Sequence, residues 1–80
     1  MNLVELVEFL IKSIAKEKDM VSVKQFDDEE AIVIQVIVAT DDMGSVIGKG
    51  GKTIGSIRTI VQASAYANNL PKVKINVDSF

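Results

Sequence analysis

The residues of this chain whose types and spacing could do chemistry lie between Asp42 and Ile54. Gly48, Gly50 and Gly51 are interleaved and flanked by Lys49 and Lys52. Glycine lets a backbone pass close to another molecule, and the two lysines put cations beside the N–H groups that such a backbone exposes. The N-terminus of a following helix adds partial positive charge at the same spot. The chemistry of the stretch is therefore capture of an anion, a phosphate above all. Catalysis is not expected: the chain has no Cys and no His. That removes a thiol nucleophile, a His general base, a Cys/His zinc site and a disulfide scaffold. Carboxylates and hydroxyls alone assemble no nucleophile–base pair or metal set, so no metal or cofactor is expected either.

Three phosphate-binding motifs compete for the stretch. A P-loop requires G-x-x-x-x-G-K-[ST]; Gly51-Lys52-Thr53 fits its end, but Val46 stands where the first glycine belongs. A dinucleotide fingerprint begun at Gly48 and Gly50 has Thr53 in place of its third glycine, and a helical turn rather than a strand precedes it. The G-x-x-G loop of a KH domain, which clamps about four single-stranded nucleotides, remains. Gly48-Lys49-Gly50-Gly51 supplies it between two helical segments. A bare G-x-x-G is often only a turn, and its weight here comes from Val46-Ile47 before it and Lys52-Thr53-Ile54 after it.

The elements that must position this loop follow from periodicity. Asn2 and Glu5 match a capping box with Asn in the cap position. Leu3, Leu6, Val7, Leu10 and Ile14 recur at helical spacing, which predicts a helix over about residues 2–17, with Phe9 off the apolar stripe. Met20 to Phe26 alternates as a half-buried strand, Asp27-Asp28-Glu29-Glu30 reads as a hairpin loop, and Ala31 to Ala39 is an apolar, β-branched run suited to a central strand. Asp42 is expected to cap a short helical turn that ends at Gly48. Ile54, Ile57, Ile60, Val61 and Ala65 predict a long helix over about residues 52–68, which Asn68, Asn69 and Pro71 terminate. Val73, Ile75 and Val77 alternate with polar residues in a last strand.

The order α-β-β-α-α-β limits the topology. A hairpin makes the first two strands antiparallel, and a two-helix crossover makes the last strand parallel to the middle one. The expected fold class is α+β: a three-stranded mixed sheet with the helices on one face, forming a single domain over residues 1–80. Ile32, Ile34, Val36 and Val38 then face the helices, while Val33 and Ile37 face away from them.

Charge is polarised along the chain. Through Asp42 four lysines stand against ten carboxylates, net −6; from Met43 onward five cations stand against Asp78 alone, net +4. The total of −2 hides a segment suited to an anionic ligand. No apolar run reaches membrane-spanning length, and the first residues lack the basic region of a signal peptide. A cytoplasmic protein with no membrane partner is expected.

The stretch from Asp42 to Ile54, with Ile57-Arg58-Thr59-Ile60-Val61 behind it, resembles the bacterial KhpA family of small single-domain KH proteins of type II topology, over essentially the whole chain. The resemblance implies a non-catalytic, single-stranded RNA-binding protein. It also implies self-association as a homodimer, or pairing with a larger KH-containing partner of the KhpB/Jag kind. Gly48 and Gly51 match the fixed ends of the loop, Lys49 and Gly50 its variable middle. Val46, Ile47 and Ile54 match the apolar positions beside the nucleotide groove. Loop N–H groups, Lys49 and Lys52 would hold phosphates, and the groove between the Ile47/Ile54 side and a neighbouring strand would take bases, with Arg58 reaching base edges. Val36 and Val38 are taken as the strand wall of that groove. The alternative is a KH-fold protein–protein interaction module, which the acidic balance, the absence of an aromatic near the loop and the spare apolar surface would suit.

Overall fold

The first helix begins where its capping residues dictate. In the computed structural model, which describes residues 2–80, Asn2 Oδ1 accepts the Glu5 N–H at 2.8 Å and Glu5 Oε1 accepts the Asn2 N–H at 3.4 Å. Helix α1 (Leu3–Lys12) buries Leu3, Val7 and Ile11 and leaves Phe9 61% exposed. It stops well before residue 17. Ser13 Oγ donates back to the Phe9 carbonyl at 2.7 Å, the Ile14 and Ala15 N–H groups both turn back to the Ile11 carbonyl, at 3.0 and 2.9 Å, and the N–H groups of Lys16 and Glu17 leave the ladder. The apolar pattern outlasts the helix because Ala15, beyond its end, is still buried.

What receives those N–H groups is Asp42, which corrects the expectation that Asp42 caps the next helix. Its side chain makes no capping bond. Its two carboxylate oxygens accept the backbone N–H groups of Lys16 and Glu17, each at 2.9 Å. Asp42 is 1% exposed, the one buried charged residue among those described. Burial of an ionised carboxylate is tolerated where hydrogen bonds replace water. The Lys16 N–H first, then that of Glu17, holds its pKa below the ordinary aspartate value, against the opposing effect of burial. The end of α1 is thereby fixed to the segment that leads into the glycine loop.

Strands β1 (Ser22–Asp27) and β2 (Ala31–Val38) form the expected antiparallel hairpin, and β3 (Lys72–Ser79) lies parallel to β2 on its other side, so β2 is central. The register places Val23, Ile34 and Ile75 in the half of the sheet that faces helices, where Ile32, Ile34, Val36 and Val38 are buried. Helices α2 (Met43–Ile47) and α3 (Lys52–Ala67) complete the crossover; α1 packs on α3 and β1, α3 on β3, and α2 on α3. This is the α+β fold with the helices on one face of a three-stranded mixed sheet. The α3 stripe is narrower than expected: Ile54, Ile57, Val61 and Ala65 are buried, but Ile60 is 47% exposed. At 100° per residue Ile60 falls beside Ile57 and Val61 only at the margin of the buried arc.

The opposite sheet face has no helix on it. Val33, Gln35 and Ile37 of β2 lie there, half-buried by their own neighbours. No helix of the described residues is long and apolar enough to cross a membrane.

Candidate nucleic-acid interface

The glycine loop is shaped by three left-handed residues in four. Helix α2 ends at Gly48, whose N–H donates to the Gly44 carbonyl at 2.9 Å. Gly48 has φ 77° and ψ 168°, a region open only to glycine. A side chain is also excluded by space, since a β-carbon there would overlap Thr53 Oγ1 and lie 2.8 Å from the Thr53 backbone nitrogen. Gly50 (φ 64°) and Gly51 (φ 77°) share the left-handed conformation but face open space. Lys49 to Gly51 form one tight turn, closed by the Gly51 N–H on the Gly48 carbonyl at 3.1 Å. Gly51 is then the residue before α3, and no side chain caps that helix. The Gly51 and Lys52 N–H groups turn back to the Gly48 and Lys49 carbonyls, and the next N–H groups, at the start of a helix with no side-chain cap, have no intrahelical acceptor, so the positive end of α3 lies at the loop.

Lys49 and Lys52 are exposed on either side of it. Among the described residues the one ion pair joins Lys12 to Glu8, so neither loop lysine is neutralised by a carboxylate. The nearest acids in sequence do not compete: Asp42 is committed to Lys16 and Glu17, and no acid occurs from Met43 to Val77. Exposed cations, an open helix terminus and backbone free of side chains converge on Gly48, Lys49, Gly50, Gly51 and Lys52.

The apolar residues assigned to the loop divide. Ile47 is half-buried and packs against the core edge, with part of its surface open beside Gly48. Val46 and Ile54 are buried in the core. They support the loop from beneath and offer a ligand no surface. Val36 and Val38 are likewise fully buried under the helices, so they form no groove wall. The strand beside α3 is β3.

Arg58 sits apart from the loop lysines. Six residues beyond Lys52, it is about 9 Å along the axis of α3 and about 120° around it. Its Nη2 donates to the Ile75 carbonyl at 3.1 Å, and one turn on, Gln62 Oε1 accepts the Val73 N–H at 2.9 Å. These two side chains close part of the free edge of β3 and line a shallow depression with Thr59, Ala63, Tyr66 and Val73. Nothing in the local sequence announces this pairing, because it joins residues 11 and 17 positions apart through the crossover.

Comparison with known proteins gives the family of the fold. The family model described as "KhpA/KhpB, KH domain" matches residues 4–77. The chain is 42% identical over 65 residues to the RNA-binding protein KhpA of Clostridium perfringens, covering 81% of this chain and 87% of that one. It is 39% identical over 59 residues to the RNA-binding protein KhpA of Thermotoga maritima (74% and 79%) and 32% identical over 68 residues to that of Borreliella burgdorferi (85% and 83%). A crystal structure of Era with MgGDPNP and nucleotides of 16S ribosomal RNA superposes with a TM-score of 0.63 at 18% identity, over 96% of this chain and 29% of that one; the likeness is one of fold. A glycine loop between two helices, an α-β-β-α-α-β order and relatives matched over most of their length lead to one conclusion: the chain belongs to the KhpA/KhpB KH-domain family.

Proposed function

We propose that this chain is a non-catalytic single-stranded RNA-binding protein of the cytoplasm that holds the phosphate backbone at Gly48, Lys49, Gly50, Gly51 and Lys52. The observation that carries the reading is the loop itself. Its left-handed glycines stand at the uncapped start of α3, with two unpaired lysines beside them. A backbone so shaped lets phosphate oxygens approach N–H groups without a side chain between them, and the lysines add charge. Bases leave the loop over Ile47 toward β3, where Arg58 stands at the strand edge; Val46 and Ile54 keep the loop rigid from below. A protein-contact module alone would give no reason for three glycines in the left-handed region beside free cations. With so few cations engaged, the affinity of one copy is modest and its salt dependence shallow.

Two copies, or one copy with a KhpB/Jag-like partner, raise that affinity by avidity. The surface proposed for the pairing is the outer side of α3 around Thr59, Gln62 and Tyr66. Tyr66 is 83% exposed there, and the loop stays free.

The test is a loop variant, Lys49→Asp with Gly50→Asp. Asp is among the residues that tolerate the left-handed region, and position 50 has open space, so the fold persists. Binding of a short single-stranded RNA, followed by fluorescence anisotropy, is expected to be lost while the circular dichroism spectrum is unchanged. Wild-type binding by the folded variant overturns the reading.

A further inference from the structure

The sheet face opposite the helices has a composition that a merely solvated surface does not need. Opposed residues on neighbouring strands project to the same side, so the register defines its rows. Phe26 stands opposite Val33, and Val33 opposite Lys74; in the next row Lys24 stands opposite Gln35, and Gln35 opposite Asn76. The Phe26 ring is 55% exposed. Rows two residues apart lie about 7 Å from each other and strands about 5 Å apart, which sets the aromatic, the two amides and the two cations within one nucleotide's reach of each other. Neither lysine is ion-paired among the described residues.

We propose that this face is a second contact for single-stranded RNA, in which one base stacks on Phe26, the amides of Gln35 and Asn76 meet a base edge, and Lys24 and Lys74 hold the flanking phosphates. Stacking on an aromatic platform with backbone cations beside it is how sheets take single strands without strict sequence preference. Amide side chains supply both donors and acceptors to a base. Charge bounds the footprint: Asp78 closes it at the Ile37 end of the face, and the Asp28–Glu30 turn at the other. A polyanion is thereby confined to the two central rows. Lysines on edge strands also discourage sheet-to-sheet pairing, but that role calls for neither an exposed aromatic nor the amides between them.

The proposal rests on the RNA-binding reading of the loop, and the test separates the two. Full-length wild type, the loop variant and a sheet variant (Lys24→Glu, Phe26→Ser, Lys74→Glu) are titrated with oligouridine RNA of about 5 and about 20 nucleotides, lengths that fill one loop and exceed it. The sheet variant is expected to hold the short RNA as wild type does and the long RNA about tenfold more weakly, with a salt slope reduced by about 1.4 for the two lost phosphate contacts. Equal affinity of wild type and sheet variant for the long RNA overturns the proposal. So does an unchanged affinity accompanied by aggregation of the variant, which assigns the lysines to edge protection. Short-RNA binding that survives in the loop variant overturns the loop reading instead, and the long-RNA comparison still decides the sheet face. Thermal unfolding of each variant checks that it is folded.

Discussion

Gly48 and Thr53 face each other across the entry to α3 with no room for a methyl group between them: a β-carbon on Gly48 would overlap Thr53 Oγ1. The loop is thus held closed by a contact that glycine alone permits. Gly48→Ala is expected to lower stability by about 3 kcal/mol, since a backbone in this region costs a residue with a side chain about 1–3 kcal/mol before any overlap. Gly50→Ala, with the same sign of φ but open space, is expected to cost about 1–2 kcal/mol. Urea unfolding of both variants checks the order; equal losses would show that Thr53 gives way freely.

Asp42 gives the fold a pH dependence whose sign follows from its two N–H partners. Its folded pKa is depressed, so its contribution is complete above the unfolded value of about 3.9 and is lost as pH falls through the folded value. Asp42→Asn keeps one acceptor and loses the charge. Its thermal midpoint is expected to lie below that of wild type at pH 7, and the gap to narrow at pH 3. A gap of constant size between the two pH values would mean that the carboxylate charge contributes nothing.

Ile34 is fully buried in the centre of β2, whereas neighbouring Gln35 lies on the open face. Ile34→Ala is expected to cost about 2–5 kcal/mol, which approaches the whole stability of a chain this size at about 0.05–0.15 kcal/mol per residue. Gln35→Ala is expected to change stability by under about 0.5 kcal/mol. Chemical denaturation of the two variants side by side measures the contrast, and a loss below about 0.5 kcal/mol for Ile34→Ala contradicts its place in the core.

The proposed pairing through α3 predicts that Tyr66→Glu dissociates the assembly and leaves each subunit folded, because a side chain exposed to this degree makes no core contact to lose. Sedimentation at micromolar concentration reads the mass. A monomer mass for wild type without a partner rejects self-association, and a dimer mass for the variant moves the interface off Tyr66.

Local patterns in the sequence carried the elements and the loop. The capping box at Asn2, the β-branched run of β2 and the glycines flanked by Lys49 and Lys52 each act within a few residues, so spacing alone locates them. Long-range geometry did not show. The early end of α1 and the role of Asp42 depend on a bond spanning 26 positions, and a short acidic residue before an apolar turn reads equally well as a cap. Ile54, Val36 and Val38 were legible as core-facing by their periodicity and were also assigned to the groove, as was Val46, because a groove wall and a core wall have the same composition. Arg58 was legible as a cation near the loop in sequence; only the twist of α3 sends it to Ile75 instead.

The bond from Asp42 to the end of α1 has a consequence for how the loop comes into being. Helix α2 has five residues, too few to nucleate in isolation, since isolated helices shorter than about 12–15 residues are marginal. It stands because Val46 packs into the core against α3 and because the segment just past α1 anchors the residue before it. The glycine loop proposed to bind phosphate is therefore a product of the completed fold, and no excised peptide spanning residues 42–54 will carry it. Ligand and fold are coupled through mass action: RNA that engages the loop should raise the unfolding temperature of α1, at the other end of the chain from α3 in sequence, as much as that of α3.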